Sequence, residues 1–225
     1  MRICAISDTH NYPIDGLPEA DILLVAGDVT NRGTVPEISK FNEYCKNNLY
    51  KYTYGIYVTP GNHDWLAQKH PAMCEELLDS CNLLIDKNVS IQGLNFYFSP
   101  WTPWFFDWAF NFNENDIPQA TEHWARIPDD THVLITHGPP RSILDRTPDR
   151  YDHMGRNVGC GPLLHRTLEL EELRLHVFGH IHHSANSYEK HGNKVYANVS
   201  LCNEGYQPIN KAFLADVTPT SITVV

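Results

Sequence analysis

Asp28 stands with Gly27 directly behind Ile22–Ala26, a continuous apolar run that reads as a buried strand. A carboxylate at a strand's carboxyl end lies where open α/β sheets bind ligands. By itself it reads first as a turn or helix-cap aspartate. Four more segments place Asp, Asn or His in the same way: Asp8 and His10 after residues 2–7, Asn62 and His63 after 54–59, His137 after 131–136, and His180 and His182 after 175–178. Five such segments point to one metal centre, with Asp28 as the carboxylate able to bridge two ions. Their oxygen and imidazole donors suit Mn, Fe, Zn or Co.

The spacing inside each segment sharpens this. Asp8-Thr9-His10 sets two donors two residues apart, close enough for one ion. In Gly61-Asn62-His63-Asp64 the glycine permits a sharp turn and Asn62 offers a neutral oxygen to a metal. His63 can then sit over a bound phosphate, and Asp64 either fixes the tautomer of His63 or caps the next helix. His180 and His182 can address two ions or share one, whereas His183 reads as solvent-facing. Arg141, Arg146, Arg150 and Arg156 lie in a polar loop over 141–159, available to phosphate or simply solvated. The aromatic stretch 96–112 has three readings: core filling, a base-stacking wall with Trp101 or Trp104, or a self-association patch that would make a homo-oligomer.

The elements that must hold these residues follow from periodicity. Besides the strands named, 83–85, 89–91 and 94–98 read as short antiparallel strands. Residues 187–190 with 194–198, and 211–217 with 221–225, read as hairpins. Residues 34–48, 64–80, 118–126 and 161–172 read as helices, the first with Ile38, Phe41 and Cys45 on its apolar face. Strand–helix alternation followed by a meander predicts a mixed sheet. With no repeat, linker or low-complexity segment, residues 1–225 read as a single domain.

The chain has 225 residues, a net charge of −10 and six cysteines without a C-x-x-C pair. Scattered thiols and no apolar span or signal peptide fit a reducing, cytoplasmic protein away from membranes. The acidic balance opposes a role on long nucleic acid, which needs a basic stripe. It leaves small anionic substrates open, since two divalent ions reverse the local potential.

Taken in order, Asp8-x-His10, Gly27-Asp28, Gly61-Asn62-His63-Asp64, His137 and Gly179-His180-x-His182 resemble the calcineurin-like metallophosphoesterase superfamily at every motif position. Ser99-Pro100-Trp101, Trp108-Ala109-Phe110-Asn111, Thr136-His137-Gly138-Pro139-Pro140 and Asn198-Val199-Ser200-Leu201-Cys202 resemble its MPPED branch more closely. Some animal members of that branch have glycine where this chain has His182, so impaired metal binding is not carried over. No tyrosine follows Asp28 in Val29-Thr30-Asn31-Arg32, unlike the purple acid phosphatases.

The resemblance implies an α/β (α+β) four-layer fold, two mixed β-sheets face to face and flanked by helices. It implies two divalent ions, Mn foremost, with Fe, Zn, Co or Ni as alternatives. One ion would take Asp8, His10, Asp28 and His182; the other would take Asp28, Asn62, His137 and His180. The implied activity is hydrolysis of small phosphodiesters, cyclic nucleotides above all, by a metal-bridging hydroxide. Asn62, His63 and His182 would bind substrate, and His63 with Asp64 would be catalytic. The competing readings are a phosphomonoesterase or nuclease on the same site, or a non-catalytic scaffold like the retromer-type relative. That relative has a degraded metal site, whereas this chain keeps every ligand.

Overall fold

Ile22–Ala26 is buried at all five positions because it lies mid-sheet with a partner layer on each face. The computed structural model describes residues 1–113, 116–148 and 155–225. Its first sheet joins β1 (Arg2–Ile6), β2 (Ile22–Ala26), β3 (Ile56–Thr59) and β4 (Asn82–Leu83), all parallel. The second contains β5 (Lys87–Ile91), β6 (Leu94–Ser99) and β7 (Val133–Thr136). A small ladder follows, β8 (Arg146–Thr147) with β9 (Arg156–Asn157), inside the segment expected to be loop. Then β10 (Leu175–Phe178), β11 (Ser187–His191) and β12 (Lys194–Asn198) complete the second sheet in the order β11-β12-β10-β7-β6-β5. The chain returns with β13 (Phe213–Val217) and β14 (Ile222–Val224) to close the first as β14-β13-β1-β2-β3-β4.

Alternation along the strands builds the layers. Ile22, Leu24 and Ala26 face the second sheet and meet Phe96, Phe98, Val133, Ile135, Leu175 and Val177. Leu23 and Val25 face outward to Ile38, Phe41 and Cys45 of α1 (Val35–Asn48). α2 (Trp65–Lys69) and α3 (Pro71–Leu77) cover the same side. α4 (Ile117–Trp124) and α5 (Gly161–Glu169) cover the second sheet through Leu134, Trp124 and Leu163. The four-layer arrangement is the one expected. Among the described residues no helix is long and apolar enough to cross a membrane.

Two sequence expectations change. The helix predicted over 64–80 is broken at His70, because Pro71 disfavours a helical residue before it; His70 sits at φ −141° and ψ 65°. The three-strand antiparallel meander also fails. β4 pairs parallel with β3, and only β5 and β6 pair antiparallel, in the other sheet. The chain crosses between sheets at Asp86, whose carboxylate accepts from Ser99 Oγ (2.6 Å) and Trp101 Nε1 (3.0 Å) and lies 3.1 Å from His123 Nε2. Asp86→Ala is expected to cost roughly 1–3 kcal/mol, since it leaves the partly buried Trp101 Nε1–H without its acceptor, while Ser99 Oγ and His123 Nε2 keep each other at 3.1 Å. Urea denaturation checks this, and a loss below about 0.5 kcal/mol contradicts it.

Candidate metal centre

The two sheets meet at their carboxyl edges. Ser7 N–H donates to Val199 O, and Leu201 N–H donates to Ser7 O, both at 2.9 Å. This suture brings the loops after β1, β2 and β3 against those after β7 and β10. Asp8, Asp28 and His180 adopt φ of 51°, 52° and 67°, a left-handed turn that Asp and His tolerate better than bulkier residues. Two glycines are required by close approach. A Cβ on Gly61 would fall on the Asp28 carboxylate, and one on Gly179 would fall on that of Asp8.

Three ligand sets result: Asp8, His10 and His182; Asp28, His137 and His180; and His10, Asp28 and His63. Asp28 Oδ2 lies 3.3 Å from His137 Nε2 and 3.9 Å from both His10 Nε2 and His63 Nε2. Its Oδ1 accepts the His63 backbone N–H at 2.8 Å. Asp8 Oδ1 lies 3.2 Å from His182 Nε2, and the His180 N–H donates to Oδ2 at 3.0 Å. Asn62 Oδ1 approaches His137 Nε2 at 2.8 Å. Every expected ligand therefore stands in one cluster, and Asp28 belongs to two of its sets.

Whether cations fit follows from the tautomers. His137 Nδ1–H donates to Ala26 O at 2.9 Å, which aims the Nε2 lone pair at Asp28 Oδ2 and Asn62 Oδ1. His182 Nδ1–H donates to Asn203 O at 3.1 Å, aiming Nε2 at Asp8 and at His10 Nε2, 3.3 Å away. Acceptors facing acceptors repel unless positive charge lies between them. A proton supplies one such charge, and a divalent ion supplies two. The donor set, carboxylate oxygens and imidazole nitrogens, fits divalent metal ions.

The protonation pattern agrees. Burial opposes ionisation of Asp8, but the His182 hydrogen bond and the nearby His182, His137 and His10 imidazoles hold it well below the carboxylate range. Burial likewise opposes the charge on Asp28, and His137, His63 and His10 overcome it. Burial lowers His137, yet the Asp28 carboxylate outweighs it and pushes His137 up to about 9. Burial, with help from His137, pushes His180 down to about 3, leaving a neutral imidazole. In the metal-free chain the raised His137 therefore contributes stability below pH 6.5 that is lost as pH rises through about 9. A metal at Nε2 must displace that proton, so metal affinity is expected to rise with pH up to about 9. Calorimetry in buffers of different ionisation enthalpy reads the released proton; pH-independent binding contradicts it.

Asp64 does not orient His63. Its oxygens accept from Thr30 Oγ1 (2.7 Å), Thr30 N–H (3.0 Å), Val29 N–H (3.3 Å) and Gly61 N–H (2.7 Å), and none of these bonds caps α2. It clamps the loop behind Asp28 to the loop behind β3, and burial with the Asp28 charge raises it to about 6. His63 is held instead by Asn31, whose backbone carbonyl accepts from Nδ1–H at 2.8 Å. Glu37, on the first turn of α1, accepts the Asn31 N–H at 3.0 Å and steadies that loop. Nothing in the local motif announces a backbone carbonyl as the orienting group.

The aromatic stretch also divides differently. Phe96, Tyr97, Phe98, Phe110 and Phe112 are core. Trp101 packs on Phe112 and donates to Asp86, and Trp104 donates to Asp107 Oδ1 at 2.6 Å. The rings beside the cluster are Trp108 on His63, Phe105 near His180, and Tyr206 against His10 and His182. Tyr206 carried no motif signal. Arg141, Arg146 and Arg156 are exposed, Arg150 lies outside the described residues, and His183 is solvent-facing as expected.

Two face-to-face mixed sheets with helices outside, and an Asp/Asn/His cluster at their joined carboxyl edges, define a metallophosphoesterase. Residues 1–184 match the family model of the calcineurin-like phosphoesterases, and the chain belongs to that family. Metallophosphoesterase domain-containing protein 1 of Homo sapiens is 34% identical over 241 residues, spanning 96% of this chain and 71% of that protein. UPF0046 protein K07C11.7 of Caenorhabditis elegans is 34% identical over 223 residues, spanning 92% and 72%. One solved structure has a TM-score of 0.66 at 16% identity, covering 100% of this chain and 98% of its own. NAD nucleotidase of Haemophilus influenzae has a TM-score of 0.52 at 11% identity, covering 100% of this chain and 49% of that one. These two structures show the fold alone.

Proposed function

We propose that the chain is a binuclear-metal-dependent phosphoesterase that hydrolyses small phosphodiesters, cyclic nucleotides foremost. The observation that carries this is that Asp28 falls in two ligand sets, one with His137 and His180 and one with His10 and His63. Asp8, His10, Asp28 and His182 would hold one ion; Asp28, Asn62, His137 and His180 would hold the other. Two such ions, when bound, polarise a phosphoryl oxygen and lower the pKa of water towards neutrality. The chain's own part is orientation and proton transfer. With Nδ1–H tied to Asn31 O, His63 turns Nε2 into the site, 3.9 Å from Asp28 Oδ2. As imidazolium it donates from Nε2 to the departing alkoxide or to a phosphoryl oxygen. Asn62 and His182 face the same space and would contact the phosphate.

Mn²⁺ is the first metal to supply, with Fe, Zn, Co and Ni as comparisons. The net charge of −10 favours small substrates over long nucleic acid, and six free cysteines favour the cytoplasm. The test is hydrolysis of bis-p-nitrophenyl phosphate beside p-nitrophenyl phosphate, by metal-stripped protein with and without Mn²⁺. Metal-dependent diester turnover is expected. A monoester preference overturns the substrate class, and two bound metals without turnover of either ester favour a scaffold.

A further inference from the structure

His180 and His182 fall in different ligand sets, His180 with Asp28 and His137, His182 with Asp8 and His10. Only Ile181 separates them in the chain. Whatever fixes the Ile181 peptide therefore fixes where one proposed ion stands relative to the other. The segment has little regular structure of its own. β10 stops at Phe178, His180 sits in the left-handed region at φ 67°, and a short 3₁₀ turn over His182–Ser184 follows.

Asn198 supplies the hold. It is the last residue of β12, in register with Phe178 at the end of β10, and only 1% exposed. Its Nδ2 donates to Ile181 O at 2.8 Å, and its Oδ1 accepts the Ser200 N–H at 3.1 Å. The partners fix the orientation of the amide, since a carbonyl only accepts and an N–H only donates. Ser200 lies in the suture: it bridges to Ser7, which is bonded to Val199 and Leu201 on either side. Ser7 in turn donates from Oγ to Asp8 Oδ2 at 2.5 Å, the oxygen that also accepts the His180 N–H. One buried side chain thus ties the Ile181 peptide of the second sheet to the strand end that carries Asp8 in the first. Ile181 O also accepts the Ser184 N–H at 3.1 Å, so without Asn198 the carbonyl keeps a partner and loses its position.

We propose that Asn198 is a positioning residue that sets the spacing of the two ions by holding the peptide between His180 and His182. The inference rests on the binuclear phosphoesterase reading and adds to it a residue outside both proposed ligand sets. Groups that orient metal ligands from behind are worth about 10–100-fold in metal affinity. The amide is needed in kind as well as in size. A carboxylate at 198 keeps the Ser200 bond but turns an acceptor towards Ile181 O, and alanine loses both bonds.

The test uses the full-length chain, metal-stripped and reloaded with Mn²⁺, as parent, Asn198→Asp, Asn198→Ala and Asn210→Ala. Asn210 Nδ2 donates to Ser200 O at 3.2 Å, so Asn210→Ala loosens the same suture without removing the bond to Ile181. Calorimetry reads the affinity for each ion. Electron paramagnetic resonance reads the exchange coupling between paired Mn²⁺ ions, which depends on their separation and on the ligands they share. The parent is expected to hold two coupled ions. Asn198→Asp and Asn198→Ala should each bind the weaker ion about 10–100-fold less tightly and change the coupled spectrum, whereas Asn210→Ala keeps both at the parent values. Parent affinities with the parent spectrum in both Asn198 variants, or equal losses in Asn210→Ala, overturn the proposal. Should Asn198→Ala fail to fold, Asn198→Asp decides, because it keeps the Ser200 bond. A parent that holds a single ion overturns the binuclear reading and the proposal together. If the parent holds two coupled ions but turns over no ester, the phosphoesterase reading fails and altered coupling in the variants still upholds Asn198. If diesters are turned over while the variants keep parent affinities and coupling, that reading stands and the proposal falls.

Discussion

Asp28→Ala is expected to abolish metal-dependent hydrolysis, lowering kcat/KM by on the order of 10³-fold or more. The proposed pair of ions would supply several kcal/mol of charge stabilisation in the transition state, and each 1.36 kcal/mol is a factor of ten. Asp28 belongs to two of the three ligand sets, and in the proposed arrangement it holds both ions, so its loss would be felt at both rather than at one. It also accepts the His63 N–H at 2.8 Å, and without it the loop carrying Asn62 loses an anchor. Asp28→Asn separates these effects: the amide oxygen keeps that hydrogen bond while the bridging charge is gone. Metal per chain, measured by plasma mass spectrometry, should fall in both variants, and thermal unfolding should shift less in the asparagine form. Two tightly held ions per chain in Asp28→Ala would remove Asp28 from the centre.

His63→Ala is expected to lower kcat by roughly 10²–10⁴ for esters with alkoxide leaving groups, the range of a positioned general acid. For p-nitrophenyl esters the loss should be far smaller, because p-nitrophenolate departs without a proton. Metal content should stay at the parent level, since His63 belongs to neither proposed ligand set. Equal losses across leaving groups would assign His63 to stabilising charge on the phosphoryl oxygens instead, and turnover of an alkyl ester at the parent rate would sink its role. The substitution also uncovers one face of Trp108, which rests on the imidazole. Trp108→Leu therefore serves as the companion variant that alters the ring while keeping His63.

Much of this was legible before any coordinates. Apolar runs such as Ile22–Ala26 and Val133–Thr136 are buried at every position, and each hands the chain within two residues to an Asp or His. Asp28 and His137 could be placed in this way from sequence alone, as could the face of α1 that carries Ile38, Phe41 and Cys45. Signals of this kind are local: a few residues of periodicity and a turn suffice. The helix break at Pro71 is equally local: the apolar spacing runs on through 64–80, but the proline disfavours a helical His70.

The rest depended on residues far apart in the chain. Strand β4 is two residues long, too short to declare its partner, and only its place beside β3 made it parallel. Asp64 has the same immediate neighbours in either role; the loop behind Asp28 folding onto it consumed its oxygens and left Asn31 O to orient His63. Tyr206 joined the centre because the suture between Ser7 and residues 199–201 brings the turn that follows it over His10 and His182. By itself, then, the sequence determined which donors stand at strand ends, since that follows from hydrophobic runs and turns. Tertiary structure alone decided which donors share an ion set, which carbonyl aims the acid and which rings rim the site. Those are contacts across many residues, set by how two sheets close on one core.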